Sequence, residues 1–182
     1  MKKLCVLFPG IGYHCEKPLL YYLSKLAKSR GYEVIALRYD DFPKGAKGNA
    51  DKMRAAAAHA LMQSEQQLRD LDFADFKRVV FIGKSIGTAA CLAYREAHLI
   101  KADCLLLTPL TMTFEHSPKG STAFHGTADQ WAETAAIERL CSENSIPLYK
   151  YENANHSLET GDVSTDIRIL TDLLDKAAPM IE

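Results

Sequence analysis

Apolar residues along this chain come in short, near-continuous runs, separated by longer stretches where they recur every three or four positions. Six of the short runs predict strands: Leu4 to Phe8, Glu33 to Arg38, Arg78 to Ile82, Asp103 to Leu107, Ser121 to His125 and Pro147 to Tyr151. The stretches between and after them predict helices at Pro18 to Ser29, Asp51 to Arg69, Ile86 to Leu99, Gln130 to Glu143 and Ser164 to Ala177. Pro18 suits a first helical turn and Gly31 a stop. Ile167, Leu170, Leu173 and Leu174 share one helical face, which is expected to pack on the sheet. Strands without polar alternation are buried on both sides, and strand–helix alternation builds parallel sheets. The expected fold class is α/β, a three-layer sandwich with a six-stranded, mostly parallel sheet and helices on both faces. No repeat or linker interrupts it, so residues 1–182 read as a single domain. Ligands of such sheets bind beyond the carboxyl ends of the strands, so chemistry is expected just after each strand.

Composition narrows the partners. Lys plus Arg number 22 against 23 Asp plus Glu, a formal charge of −1. That balance creates no field to recruit nucleic acid or an acidic membrane, so a small-molecule substrate is expected. Cys5, Cys15, Cys91, Cys104 and Cys141 form no C-x-x-C pair, which argues against disulfides and against a metal site and points to a reducing, cytoplasmic setting. The apolar run in "MKKLCVLFPG" is too short for a signal peptide, and no run reaches membrane-spanning length. No cofactor is expected either.

The stretch "VVFIGKSIGTAA", residues 79–90, contains both the tail of a phosphate-binding loop, GKS, and a nucleophile turn, G-x-S-x-G. A phosphate-binding loop needs glycine five positions before Gly83, where Arg78 stands, and Val79 to Ile82 are strand residues rather than a backbone cradle. Lys84 is then expected to be a solvated side chain beside the serine. The first turn, "FPGIGYHC", places Cys15 where a dinucleotide-binding turn needs its third glycine, and Asp40 at the end of the second strand reads as a turn former. The G-x-S-x-G reading fits better: a strand enters, small residues follow in "TAACLA", and Gly83 and Gly87 flank Ser85.

A serine nucleophile needs a histidine base, and the histidine needs a carboxylate. In chain order the acid and then the histidine follow the serine in this type of fold. His156, in the polar loop "ENANHSLE" after the last strand, fits best among the six histidines. For the acid, Asp129 in "STAFHGTADQW" and Glu115 in "PLTMTFEHSPKG" both follow strands. Asp129 is preferred, because His156 is then the one histidine downstream of it; Asp129 could also cap the helix expected from Gln130. Two N–H donors are expected to hold an oxyanion: Ile86 after the serine, and Ile11 in the "PGIG" turn, with Gly12 or Tyr13 as neighbours.

Together "FPGIG", "GKSIG", "HGTAD" and "NHSLE" resemble the α/β-hydrolase family over nearly the whole chain. The resemblance implies the family strand order 4-3-5-6-7-8, with the first hairpin of larger members absent and no lid domain. It also implies nucleophile, acid and base roles for Ser85, Asp129 and His156, with Ile11 and Ile86 as oxyanion donors. Pro9 departs from the histidine that many members carry before the oxyanion glycine. The segment 109–119 is too short for a lid, and Leu110, Met112 and Phe114 within it are expected to wall an acyl pocket. The expected activity is cleavage of a small or medium carboxylic ester or thioester. The alternative is a catalytically silent hydrolase fold that serves as a binding or interaction protein.

Overall fold

The computed structural model describes residues 2–46 and 49–182. Strands β1 (Lys2–Phe8), β2 (Tyr32–Ala36), β3 (Phe76–Lys84), β4 (Asp103–Leu107), β5 (Ser121–Gly126) and β6 (Leu148–Tyr151) form one sheet in the order β2-β1-β3-β4-β5-β6. That is the family order with strands counted from the third. Every neighbouring pair is parallel, so the sheet is wholly rather than mostly parallel.

The unbroken apolar runs arise because alternate residues of each strand serve opposite cores. Leu4, Val6, Phe8, Val79, Phe81 and Leu106 face one side, where helices α2 (Ala50–Leu68), α3 (Ile86–Ala97) and α4 (Thr134–Glu143) pack. Cys5, Leu7, Val80, Ile82, Leu105 and Leu107 face the other, covered by α1 (Pro18–Ser29) and α5 (Val163–Ala177). Ile169, Leu173 and Ala177 are the buried residues of α5, while Ile167 of the expected stripe stands exposed.

Helix caps set several boundaries. The Asn49 side chain accepts the Lys52 N–H to start α2, and Asp162 accepts the Thr165 N–H to start α5. The largest departure from expectation is α4, which begins at Thr134 instead of Gln130. The reason is local: the Asp129 carboxylate takes the Trp131 N–H at 2.8 Å in a tight turn, so residues 130–133 do not enter the helix.

The strand order reverses between β1 and β3: β1 leads outward to β2, whereas β3 leads the other way to β4. A crevice at the carboxyl ends of these two strands follows from that switch. Among the described residues no helix is long and apolar enough to cross a membrane.

Candidate active site

Ser85 stands between the last residue of β3 and the first of α3 with φ 56° and ψ −122°. Side-chain residues rarely adopt that conformation, and it costs roughly 1–3 kcal/mol unless the surroundings impose it. They do. The Ser85 N–H donates to the Leu107 carbonyl at 3.0 Å, which fixes the turn to β4. On the other side, Cβ atoms on Gly83 or Gly87 would lie 2.7 Å or less from backbone, so only glycines allow α3 to press this close to β1 and β3.

The acid and histidine loops are stitched together by short-range bonds. Ala128 N–H donates to the Ala154 carbonyl at 2.9 Å, and Asn153 N–H donates to Thr127 Oγ1 at 2.8 Å. The Asn155 side chain accepts the Ser157 and Glu159 N–H groups at 2.7 and 3.2 Å, and Leu158 beyond them is buried in the core. His156 is thereby held on a rigid turn.

The structure brings Ser85, His156 and Asp129 into one line. Ser85 Oγ is 2.8 Å from His156 Nε2, and His156 Nδ1 is 2.7 Å from Asp129 Oδ2. With the carboxylate as acceptor, Nδ1 carries the proton and Nε2 is left to accept the serine O–H. Burial alone would raise the Asp129 carboxyl, but the hydrogen bond and charge of His156 and the Trp131 N–H outweigh it and hold the group below its usual range. Burial pushes His156 below its ordinary value; the Asp129 bond opposes this, while the charges of Lys84 and His125 reinforce it. Glu115, the other candidate acid, is ion-paired with Arg54 at 2.6 Å.

Ile86 opens α3, so its N–H has no partner within the helix, and it adjoins Ser85. Ile11 sits in a turn closed by paired hydrogen bonds between Gly10 and Tyr13, at 3.1 and 3.3 Å. Ile11 lines a cavity of about 140 Å³ together with Gly12, Met53, Ser85, Trp131 and His156.

Several participants were invisible in the sequence. Lys84, expected in solvent, is 1% exposed. Its ammonium donates to Thr108 Oγ1 at 2.6 Å and lies 4.9 Å from the Tyr13 ring centroid. His125, read as a strand residue, is fully buried with Nδ1 4.0 Å from Asp129 Oδ2, while Nε2 pairs with Thr134 Oγ1 at 2.9 Å. Burial holds it below the usual histidine value despite the nearby carboxylate. Trp131 meets the His156 ring edge-on, with centroids 6.2 Å apart. Of the expected acyl-pocket residues, Leu110 and Met112 line a second cavity of about 240 Å³, which shares Met53 and Trp131 as lining residues with the first. Phe114 instead packs against the core beneath it. Among the described residues no group of three or more His, Cys, Asp or Glu converges as a metal site would.

No protein-family model and no curated protein matches the sequence. Solved structures do match the fold. An α/β serine hydrolase without a lid from Xanthomonas campestris is 12% identical at a TM-score of 0.63, over 97% of this chain and 81% of that one. The Bacillus cereus carboxylesterase is 17% identical at 0.57, over 97% and 89%. Esterase 2 of Thermogutta terrifontis is 18% identical at 0.60, over 98% and 83%. The protein therefore has the α/β-hydrolase fold, in a small form.

Proposed function

We propose that this protein is a serine hydrolase that cleaves a small or medium carboxylic ester or thioester. The observation that carries this reading is the hydrogen-bonded line from the strained Ser85 through His156 to the buried Asp129. The esterases among its structural neighbours support it. Ser85 Oγ attacks the acyl carbon as its proton passes to His156 Nε2, and Asp129 orients the ring and offsets the imidazolium charge. The oxyanion is held by the N–H groups of Ile86 and Ile11. Collapse expels the alcohol or thiol, which takes the proton from His156. Water, deprotonated by the same nitrogen, then releases the carboxylic acid and restores Ser85. The modest cavities and the apolar Met53, Leu110, Met112 and Trp131 fit a short acyl chain better than a long one.

A fluorophosphonate probe tests the reading directly. Mass spectrometry is expected to find one adduct, on Ser85, and prior probe treatment is expected to abolish turnover of aryl esters. An unlabelled Ser85 in folded protein would favour the silent binding-protein alternative.

The pH dependence follows from the sign of the His156 shift. The base works when neutral, and its ionisation lies below the ordinary 6.5. Esterase kcat/KM is therefore expected to rise with pH as a single ionisation centred below that value and to be flat through neutrality. A midpoint above it in the free enzyme would contradict the environment described for His156.

A further inference from the structure

Lys84 is the last residue of β3 and continues the alternation of Val80 and Ile82, so its side chain enters the core shared with α1 and α5. Lysines are almost never fully buried, and an apolar residue there would avoid the desolvation cost. The surroundings are instead arranged around the ammonium. Thr108, immediately after β4, accepts its hydrogen bond from a left-handed backbone with φ 46°, a costly conformation for a β-branched residue. The Thr108 N–H is anchored to the Phe124 carbonyl at 2.7 Å. Tyr13 presents its ring to the ammonium, and the phenol oxygen is fixed by the Leu19 N–H at 3.1 Å. Loops from β1, β3 and β4 thus meet at one side chain, which also borders the cavity containing Ser85 and His156.

We propose that Lys84 is a positioning residue of this site: a buried cation, locked by Thr108 and Tyr13 at the cavity that Ser85 and His156 also line, that keeps the imidazole in its proton-accepting form under mildly acidic conditions. A positive charge bordering the same cavity opposes a second one on the imidazole ring. The other groups around the imidazole have settled signs. Asp129, from the β5–α4 loop, favours the charged ring; His125, from β5, acts in the same direction as Lys84, though burial lowers its own ionisation. Tyr13, from the β1–α1 loop, is pushed up to about 12 by burial and stays a neutral phenol. Glu159 lies on the histidine's own loop and acts on Tyr13. Lys84 adds its charge to the burial that already opposes Asp129. Without it the carboxylate would draw a proton onto His156 at higher pH and remove the base.

The inference uses the hydrolase reading for its kinetic readout, so a second readout is needed that does not. Lys84→Met removes charge and tether, Lys84→Gln removes the charge but can still donate to Thr108, and Lys84→Arg keeps the charge. Two quantities are measured: the acid limb of kcat/KM against pH on an aryl ester, and the NMR titration midpoint of His156 with Ser85→Ala in each background. Lys84→Met and Lys84→Gln are expected to move both to higher pH, with KM little changed, and Lys84→Arg to leave both near wild type. A residue that merely supported the loops would lower melting temperature and leave the midpoint in place. If Lys84→Met fails to fold, Lys84→Gln decides. An unmoved midpoint in folded Lys84→Gln overturns the inference, even if esters are turned over. A moved midpoint in a protein that turns over no ester upholds it and sinks the hydrolase reading alone.

Discussion

Ser85→Ala is expected to lower kcat/KM by about 10⁴–10⁶-fold on whichever ester the wild type cleaves, equivalent to roughly 5–8 kcal/mol of transition-state stabilisation. Alanine leaves Cβ in place, so the substitution adds no contact and keeps the same side-chain strain at φ 56°. The fold should survive, with a melting temperature close to wild type. On the proposed mechanism, what disappears is the oxygen that would receive the acyl group, leaving the N–H groups of Ile86 and Ile11 to polarise a carbonyl for a water that nothing positions. Because Ser85, His156 and Asp129 would act as one unit, adding His156→Ala to Ser85→Ala should cost almost nothing further. The measurement is kcat/KM for a chain-length panel of aryl esters and acyl thioesters, with circular dichroism as the folding control. Turnover retained in folded Ser85→Ala would show that another group does the chemistry.

Gly87→Ala is expected to be the most destabilising single-methyl change in the site. Its Cβ would lie 2.1 Å from the Phe8 carbonyl oxygen and 2.5 Å from that of Pro9, both backbone atoms at the end of β1 and its exit. No rotamer relieves a backbone clash. Either α3 lifts from β1 or the end of β1 moves, and the tilted contact of Phe8 with Phe81, centroids 5.1 Å apart, is disturbed. The loss should exceed the ~1–3 kcal/mol usual for overpacking, a large share of the ~5–15 kcal/mol that stabilises a typical domain. Moving Pro9 would also displace Ile11 from Ser85, so activity should fall even in the folded fraction. Gly12→Ala is the control: with φ +69° but nothing within 4 Å, it should cost only about 1–2 kcal/mol of backbone strain. Urea denaturation of the two variants checks this, and equal midpoints would refute the close approach of α3 to β1.

Much of the fold was legible because its determinants are short-range or periodic. A parallel strand covered on both faces must be apolar at nearly every position, and β1, β3 and β4 announce themselves by that alone. The phase of α5 was legible only in part: Leu173 is buried and Leu170 and Leu174 pack against the core, whereas Ile167 is exposed and Ile169 and Ala177 are buried instead. Boundaries failed where a polar side chain had two uses. Asp129 could cap a helix or turn back on Trp131, and the second wins because its other oxygen is held by His156. A run of residues cannot reveal that choice, because His156 arrives on the loop after β6, the strand paired with β5.

The candidate site divides along the same line. Ser85, Asp129 and His156 could be selected from the sequence because each residue type has few chemical uses and each follows a strand. The turn glycines could be selected because the motif needs backbone contact. Lys84 could not. Beside a reactive serine, an isolated lysine reads as a surface residue, and only the pairing of β3 with β4 places Thr108 against its ammonium while the β1 exit brings Tyr13 over it. His125 was hidden likewise, since its burial depends on α4 folding over β5 to deliver Thr134. The chain by itself therefore determined the strand and helix alternation, the strained turn and the order of the three candidate side chains, because these follow from local sterics and periodic burial. Tertiary structure alone decided which charges are shielded from water and which carbonyls crowd Gly87, because dielectric environment and close approach exist only between segments distant in sequence.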